Sequence, residues 1–285
     1  MLTRSGTLLF TAIAVPAFLA GCGGGGGDTA AAGGDADAGG ADGGAATTTV
    51  AAAGSSTVAG MVMFEGTPTA ATAIDMSDEP TCLEKYGDAS PMTEEAVVAD
   101  GHMANVFVYV KEGLSGDFGA SSASVVLDQN GCRYVPHVIG IMAGQDLTIQ
   151  NSDGLLHNIN TQSTANRSFN VSQPRSMEST KSFKAQEIMI PVKCDVHGWM
   201  AAYIGVVDHP YFAVTGTDGM YSIPNLPAGD YVIEAWHEVY GVQTMQVTVG
   251  DQETAEASFT FNEGMAGADV PLGEPLILSQ ASVGH

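Results

Sequence analysis

The sequence predicts an all-β protein made of two β-sandwiches. Short runs rich in Val, Ile, Thr, Tyr and Phe recur between residues 57 and 261, whereas helical signals are scarce. Gly, Asp, Asn and Pro lie between these runs and mark turns. Many short strands separated by turns are typical of β-sandwiches. The predicted strands are 57–65, 104–111, 124–128, 133–142, 146–151, 155–160, 177–183, 187–192, 201–207, 212–215, 220–223, 229–236, 242–249 and 253–261.

The first 21 residues have the pattern of an export signal. Arg4 gives a short positive region, and residues 8–20 are apolar but too few to span a bilayer. The Leu-Ala-Gly-Cys run that ends at Cys22 resembles the lipobox of bacterial lipoproteins. This resemblance implies that Cys22 is the mature N-terminus and carries acyl chains that anchor it in a membrane. An ordinary signal peptide with a nearby cysteine is the alternative.

A linker of residues 22–55 follows, made almost entirely of Gly, Ala, Asp and Thr. Such a segment has little apolar surface to bury and is expected to act as a flexible tether. No acidic residue directly follows Cys22. By resemblance to lipoprotein sorting rules, this favours the outer membrane. We therefore expect a lipid-anchored protein of the bacterial cell envelope, facing the periplasm or the cell surface.

The charge of the chain narrows the choice of partners. The formal net charge is −23, with only 9 Lys and Arg residues. Such a chain repels nucleic acid, so nucleic-acid binding is excluded as a function. The charge serves either solubility or the attraction of a basic partner protein.

The four cysteines predict a disulfide and a free thiol. With Cys22 assigned to lipid, Cys82 and Cys132 both lie in loop-like contexts, and Cys82 belongs to an irregular stretch that predicts a short helix or a long loop. Disulfides are permitted in an exported protein. A Cys82–Cys132 pair leaves Cys194 free, and a bound metal would protect its thiol from oxidation.

The segment Lys-Cys-Asp-Val-His-Gly-Trp-Met over residues 193–200 carries three candidate metal ligands on one predicted turn. Cys194, His197 and Met200 supply a thiolate, an imidazole and a thioether, which together select copper or zinc. His157 follows a predicted strand and a turn, and is the candidate for a third strong ligand. Zinc is the alternative metal, although a thioether is a poor ligand for it.

The pattern of His-Asn followed by Cys-x-x-His and a nearby Met resembles the mononuclear blue-copper site of cupredoxins, over about residues 101–207. The resemblance implies a Greek-key β-sandwich with Cys194 as the thiolate ligand. It also implies His157 and His197 as the imidazole ligands and Met200 as the weak axial ligand. Asn158 would brace the ligand loop. The chain is also similar to lipid-anchored, methylamine-utilisation-like cupredoxins.

Two features of the site keep alternatives open. The spacing from His197 to Met200 is tighter than in plastocyanin-like sites. It equals the spacing in the dinuclear copper domains of terminal oxidases, which need a second cysteine that this loop lacks. Met200 is therefore the least secure ligand of a mononuclear site, and a backbone carbonyl or another side chain is the alternative axial ligand. His137 is either a fourth ligand, a residue that supports a ligand, or a structural histidine.

The second sandwich is predicted over residues 208–262. Its Thr-Asp-Gly turn, short strand, Pro-bounded loop and alternating strand over residues 217–233 resemble the carboxypeptidase regulatory-like, or transthyretin-like, module. Such modules are structural or adhesive, and no chemistry is assigned to this one. The copper domain is predicted over 56–207, and 263–285 form a loose tail.

These features predict a function in electron transfer. Three strong ligands leave copper no open position for substrate, which favours one-electron transfer. The sequence contains no catalytic triad, paired-carboxylate motif or Gly-rich phosphate loop after a strand, so we expect no enzyme activity. The expected function is that of a membrane-tethered carrier between redox partners such as a cytochrome. The alternative is a non-redox module for copper storage or delivery, or for envelope adhesion.

Overall fold

The computed structural model describes residues 53–267, which form strands with one short α-helix and one 3-10 turn. The fold class is all-β, as predicted. The predicted signal peptide, the lipidation site at Cys22, most of the linker and most of the tail lie outside the described residues. Within the described part, no helix is both long and apolar enough to cross a membrane.

The elements are numbered in chain order. The strands are β1 Ser56–Glu65, β2 Val98–Ala99, β3 His102–Met103, β4 Phe107–Glu112, β5 Val125–Gln129, β6 Tyr134–Val135, β7 Val138–Met142, β8 Leu147–Asn151, β9 His157–Thr161, β10 Asn170–Gln173, β11 Met177–Lys181, β12 Glu187–Lys193, β13 Ala201–Val207, β14 Phe212–Val214, β15 Met220–Leu226, β16 Gly229–His237, β17 Gly241–Val249, β18 Thr254–Glu256 and β19 Phe259–Asn262. Helix α1 is Pro80–Glu84, and the 3-10 turn is Glu263–Met265.

Two sheets from the middle of the chain form the first sandwich. Their strand orders are β10-β9-β12-β13-β7 and β11-β8-β5-β6. Strand β8 shows the physical basis, because its residues alternate between buried and partly exposed positions. The buried residues of both sheets share one apolar core that includes Leu127, Ile149, Ile159 and Ile204. This sandwich carries the candidate metal ligands.

The second sandwich combines both ends of the described chain. One sheet has the order β15-β1-β3-β2, with β18 and β19 also paired to β1, and the other has the order β14-β4-β16-β17. Their shared core includes Val62, Val108, Ile223, Ile233 and Phe261. A third apolar cluster packs β4 and β16 of this sandwich against β7, β12 and β13 of the first.

This pairing differs from the predicted division of the chain at residue 208. Strands β1 and β4, which the prediction placed in the copper domain, pair with strands of the C-terminal sandwich. The division differs because of backbone hydrogen bonding. Strands β18 and β19 each pair with β1, which is therefore an inner strand of the C-terminal sandwich. The first sandwich is thus inserted between β4 and β14.

A long connection between β1 and β2 contains helix α1. We call residues 66–97 the cap segment. An isolated bridge pairs Ala73 with Met92 inside it. The predicted disulfide between Cys82 and Cys132 is confirmed, and it attaches the cap segment to the turn between β5 and β6. The irregular stretch predicted around Cys82 thus holds one short helix.

Candidate metal centre

Three strands bring the candidate ligands together. Cys194 directly follows β12, and His197 lies in the turn that joins β12 to β13. The two strands pair in antiparallel register up to Lys193 opposite Ala201, so the turn between them is short. Two hydrogen bonds hold it: the Cys194 N–H donates to the Met200 carbonyl at 3.2 Å, and the Met200 N–H to the His197 carbonyl at 2.9 Å. Such a turn fixes the ligands relative to each other.

His157 is brought to this turn by strand pairing. It is the first residue of β9, and β9 pairs with the end of β12 through Asn160 opposite Lys193. One nitrogen of each histidine and the Cys194 sulfur all lie within 4.8 Å of one another. The Nδ1 atoms of His157 and His197 are 2.9 Å apart, and Cys194 Sγ is 3.9 Å from His197 Nδ1. The structure therefore groups the three strong ligands predicted from the sequence.

The grouped side chains are shielded from water, with exposed fractions of 0% for His157, 2% for Cys194 and 3% for His197. Two imidazoles and one thiolate form the donor set that suits copper, and zinc is also compatible with it. A second group, Cys132 with Asp153 and His157, also lies within 4.8 Å. Its cysteine is in the disulfide and is not available as a thiolate.

The surroundings of Cys194 favour its thiolate form. Burial alone would raise the pKa of the thiol. The hydrogen bond with His157 and the backbone N–H groups of Asn158, His197 and Val196 outweigh burial and lower the pKa below its ordinary value. The thiolate is the form that binds metal.

Asn158 connects the two ligand-bearing segments. Its side-chain oxygen accepts a hydrogen bond of 2.7 Å from the Asp195 N–H, and its amide nitrogen donates to the Asp195 carboxylate at 3.0 Å. Asn160 and Asn170 also donate to this carboxylate. These hydrogen bonds lower the pKa of Asp195, and the bond from Asn160 has the largest effect. The bracing contact implied for Asn158 is therefore present in the structure.

Asp153 contacts the His157 ring nitrogen that faces away from His197. Its side chain is fully buried, and Oδ2 lies 2.9 Å from His157 Nε2. Lys85 of the cap segment forms an ion pair of 2.9 Å with Oδ1. Against the penalty of burial, these contacts and two backbone N–H groups hold the pKa of Asp153 well below its ordinary value. Carboxylates often orient metal-bound histidines in this way.

The cap segment covers the far edge of His197. Its Nε2 lies 3.9 Å from the Glu79 carboxylate and 4.0 Å from the Cys82 sulfur. The Trp199 ring packs against His197 with centroids 5.1 Å apart, and its indole N–H donates to the Cys132 carbonyl at 3.0 Å. Burial and the charge of His157 lower the pKa of His197. The candidate site is thus closed by the cap segment and the disulfide.

Met200 is 1% exposed and lies in the same apolar cluster as Cys194. Its position is compatible with the predicted axial ligand, and this role stays a prediction.

His137 lies outside the group of ligand atoms. One ring nitrogen contacts the Ala201 carbonyl at 3.1 Å, and the other contacts the Glu238 carboxylate. Burial would lower the pKa of His137, but Glu238 and Glu94 outweigh it and raise the pKa. Both ring nitrogens are occupied, one by Ala201 of the same sandwich and the other by Glu238, which follows β16 of the second sandwich. The hydrogen bond that His137 forms next to the ligand turn is with the backbone carbonyl of Ala201.

Sequence reasoning missed Asp153, Lys85 and Glu79. The carboxylate of Asp153, four residues before a candidate ligand, was a local signal that could have identified it. Lys85 and Glu79 had no such signal, because their contacts depend on how the cap segment folds back.

No protein-family model matches the sequence, and no curated protein matches it. One similar solved structure is a Cu-containing nitrite reductase from Thermus scotoductus SA-01, with 15% identity, 41% of this chain and 27% of that chain covered, and a TM-score of 0.28. This chain therefore spans about a quarter of the length of that enzyme.

Two smaller proteins are matched over nearly their whole length. An oxidised amicyanin variant has 13% identity, with 35% of this chain and 97% of that chain covered and a TM-score of 0.27. A purple cupredoxin from Nitrosopumilus maritimus has 20% identity, with 30% and 99% covered and a TM-score of 0.25. The assignment of two β-sandwiches rests on the strand pairing and shared cores described above.

Proposed function

We propose that this protein binds one copper ion through His157, Cys194 and His197 and transfers single electrons. The observation that carries the proposal is the convergence of two imidazole nitrogens and one free cysteine sulfur within 4.8 Å. Trigonal His₂Cys sites with a weak axial ligand are typical of electron-transfer copper centres. Met200 is the proposed axial ligand.

The chain supplies rigid support for the ion. The two Nδ1 atoms and the Cys194 thiolate would hold it, and the almost complete burial of these side chains excludes water. Asn158 and Asp153 restrain the ligand-bearing segments by hydrogen bonds. Bound copper supplies a one-electron redox couple. A site whose ligands are already fixed changes little between two oxidation states, and this favours fast electron exchange.

The cellular setting and partner belong to the same proposal. The lipobox-like run ending at Cys22 supports export and lipid anchoring in the cell envelope, with the outer membrane as the expected location. The net charge of −23 supports a basic redox partner, such as a cytochrome, drawn to the protein by its electrostatic field. In this proposal the protein is a carrier and not an enzyme.

Loading the purified protein with Cu(II) tests the copper site. We expect an intense visible absorption band from charge transfer between thiolate and copper, and its loss in Cys194→Ser. Val196→Ser is the matched control, because Val196 is an exposed residue of the same turn, and this variant should retain the band. A colourless protein that takes up zinc to full occupancy and excludes copper would refute the proposal.

A non-redox binding role is the second candidate function. Copper delivery requires ready release, whereas the covered ligands favour retention. Competition with a copper chelator distinguishes electron transfer from copper delivery. An electron carrier retains its ion for hours, whereas a delivery protein loses it within the time of mixing. Adhesion through the C-terminal sandwich would not depend on copper. In that case Cys194→Ser would bind surfaces as the wild-type protein does.

A further inference from the structure

Asp153 is a buried carboxylate surrounded by hydrogen-bond donors. Oδ1 accepts from the Gly131 N–H at 2.8 Å and lies 2.9 Å from Lys85 Nζ. Oδ2 accepts from the Cys132 N–H at 2.7 Å and lies 2.9 Å from His157 Nε2. Burying a charge is costly unless it is paired and fully hydrogen-bonded, and Asp153 meets both conditions. Such a site is built to hold an ionised carboxylate.

The chemistry of these partners fixes the position of a proton. The Lys85 ammonium and the two backbone N–H groups can only donate. The ionised carboxylate can only accept, so the proton in its contact with His157 belongs to the Nε2 atom. A neutral imidazole carries a single proton, which leaves Nδ1 with its lone pair free. Nδ1 is the atom that faces His197 Nδ1 at 2.9 Å.

We propose that Asp153 is a positioning residue that fixes the tautomer and orientation of His157, and that the cap segment maintains it through Lys85. This inference rests on the proposed copper function. It assigns the cap segment a part in the metal centre that its distance along the chain does not suggest.

The disulfide explains how the cap segment reaches this position. Lys85 lies three residues after Cys82, and the partner cysteine, Cys132, donates its own N–H to Asp153. The Tyr86 hydroxyl also donates to the Gly131 carbonyl at 2.7 Å. The covalent link and this hydrogen bond join the cap segment to the turn between β5 and β6, and the ion pair joins it to the loop after β8. Asp153 is the point at which they meet a metal ligand.

The expected consequence is electronic as well as structural. A carboxylate that accepts a hydrogen bond from a ligand imidazole makes that ligand more basic. A more basic ligand stabilises Cu(II) relative to Cu(I), which lowers the reduction potential. Replacing Asp153 with a neutral side chain should therefore weaken Cu(II) binding about 10- to 100-fold. It should also raise the reduction potential.

The test compares variants of the whole protein by Cu(II) competition titration and voltammetry. Asp153→Asn should show both changes. Lys85→Met removes the cation beside the carboxylate, which leaves His157 more basic, so it should lower the potential, the opposite of Asp153→Asn. Asp153→Glu should partly restore the wild-type values. Asp146→Asn removes the same charge from an exposed turn of the same sandwich and serves as the matched control. Wild-type affinity and potential in Asp153→Asn would overturn the proposal.

A measurement on the wild-type protein covers the case in which Asp153→Asn does not fold. Nitrogen-15 NMR of the Cu(I) form with labelled histidine shows which His157 nitrogen carries the proton. We expect a protonated Nε2 and a metal-bound Nδ1, and the reverse would overturn the proposal. If the wild-type protein lacks the thiolate-to-copper band, the copper function itself fails. If the band is present while Asp153→Asn leaves affinity, potential and NMR unchanged, this inference alone fails.

Discussion

The Asn158 side-chain oxygen accepts a 2.7 Å hydrogen bond from the backbone N–H of Asp195, so the residue after one candidate ligand holds the residue after another. His157 and Cys194 come from strands that pair over only two residues near the site. The geometry between these two ligands therefore depends on this side-chain contact as well as on the sheet.

We predict that Asn158→Ala destabilises the metal-free protein by about 0.5–1.5 kcal/mol, because the partly buried hydrogen bond from the Asp195 N–H is lost. The variant should also broaden or shift the thiolate-to-copper band, since Cys194 is no longer held in register with His157. Urea unfolding and absorption spectroscopy measure the two effects. Asn160→Ala is the control, because Asn160 contacts Asp195 only through its carboxylate. An equal loss in both variants would argue against a special role for Asn158.

Removing the disulfide should affect both stability and the metal site. The bond joins residues 50 positions apart and attaches the cap segment that covers His197. Cys82→Ala/Cys132→Ala should lower the free energy of unfolding by about 2–5 kcal/mol. Copper should then pass to a chelator faster, because the far edge of His197 becomes accessible. Chelator kinetics at matched temperature test this, and an unchanged rate would show that the cap segment does not control access.

His237 predicts a specific pH dependence of stability in the second sandwich. Burial, followed by the charge of His137, lowers the pKa of His237 to about 3, whereas an unfolded histidine titrates near pH 6.5. Between about pH 6.5 and 3, the unfolded chain binds a proton that the folded chain does not. Stability is therefore fully present above pH 6.5 and falls by up to about 1.4 kcal/mol per pH unit as the pH decreases.

The variant His237→Leu should reduce this slope. Urea unfolding at several pH values measures it, and the difference between the variant and the wild type isolates His237 from other groups. Above pH 7 the two proteins should show the same pH dependence, which provides the internal control. Parallel curves down to pH 4 would mean that His237 is protonated in the folded protein.

Residues 208–262 are predicted not to fold alone, because β18 and β19 pair with β1, and β16 needs β4 as a neighbour. Circular dichroism and proton NMR of this fragment should show an unfolded chain. The whole described region, 53–267, is the matched comparison and should unfold cooperatively. A stable, dispersed spectrum from the fragment would contradict the pairing of β1 with the C-terminal strands.

The sequence was informative where chemistry is local. Cys194, His197 and Met200 lie on one turn, and the spacing of soft ligands there predicted a metal site without knowledge of the fold. The disulfide was predicted from the number of cysteines, the assignment of Cys22 to lipid and the loop-like contexts of Cys82 and Cys132. Both inferences depend on the types of residue and their separation along the chain.

Contacts between distant segments could not be predicted in this way. Alternation along β1 and β4 shows that they are strands but does not identify their partners. The ion pair of Lys85 with Asp153 joins two loops whose approach depends on the packed cap segment. For the same reason, the sequence suggested a domain boundary at residue 208 that the strand pairing does not follow.

X-ray absorption at the copper edge tests the central claim most directly, because it identifies the atoms bound to the ion. For the copper-loaded protein, we predict one short thiolate sulfur and two imidazole nitrogens, with the sulfur lost in Cys194→Ser and one imidazole lost in His157→Ala. A copper environment of nitrogen and oxygen alone, unchanged in both variants, would contradict a copper site formed by His157, Cys194 and His197.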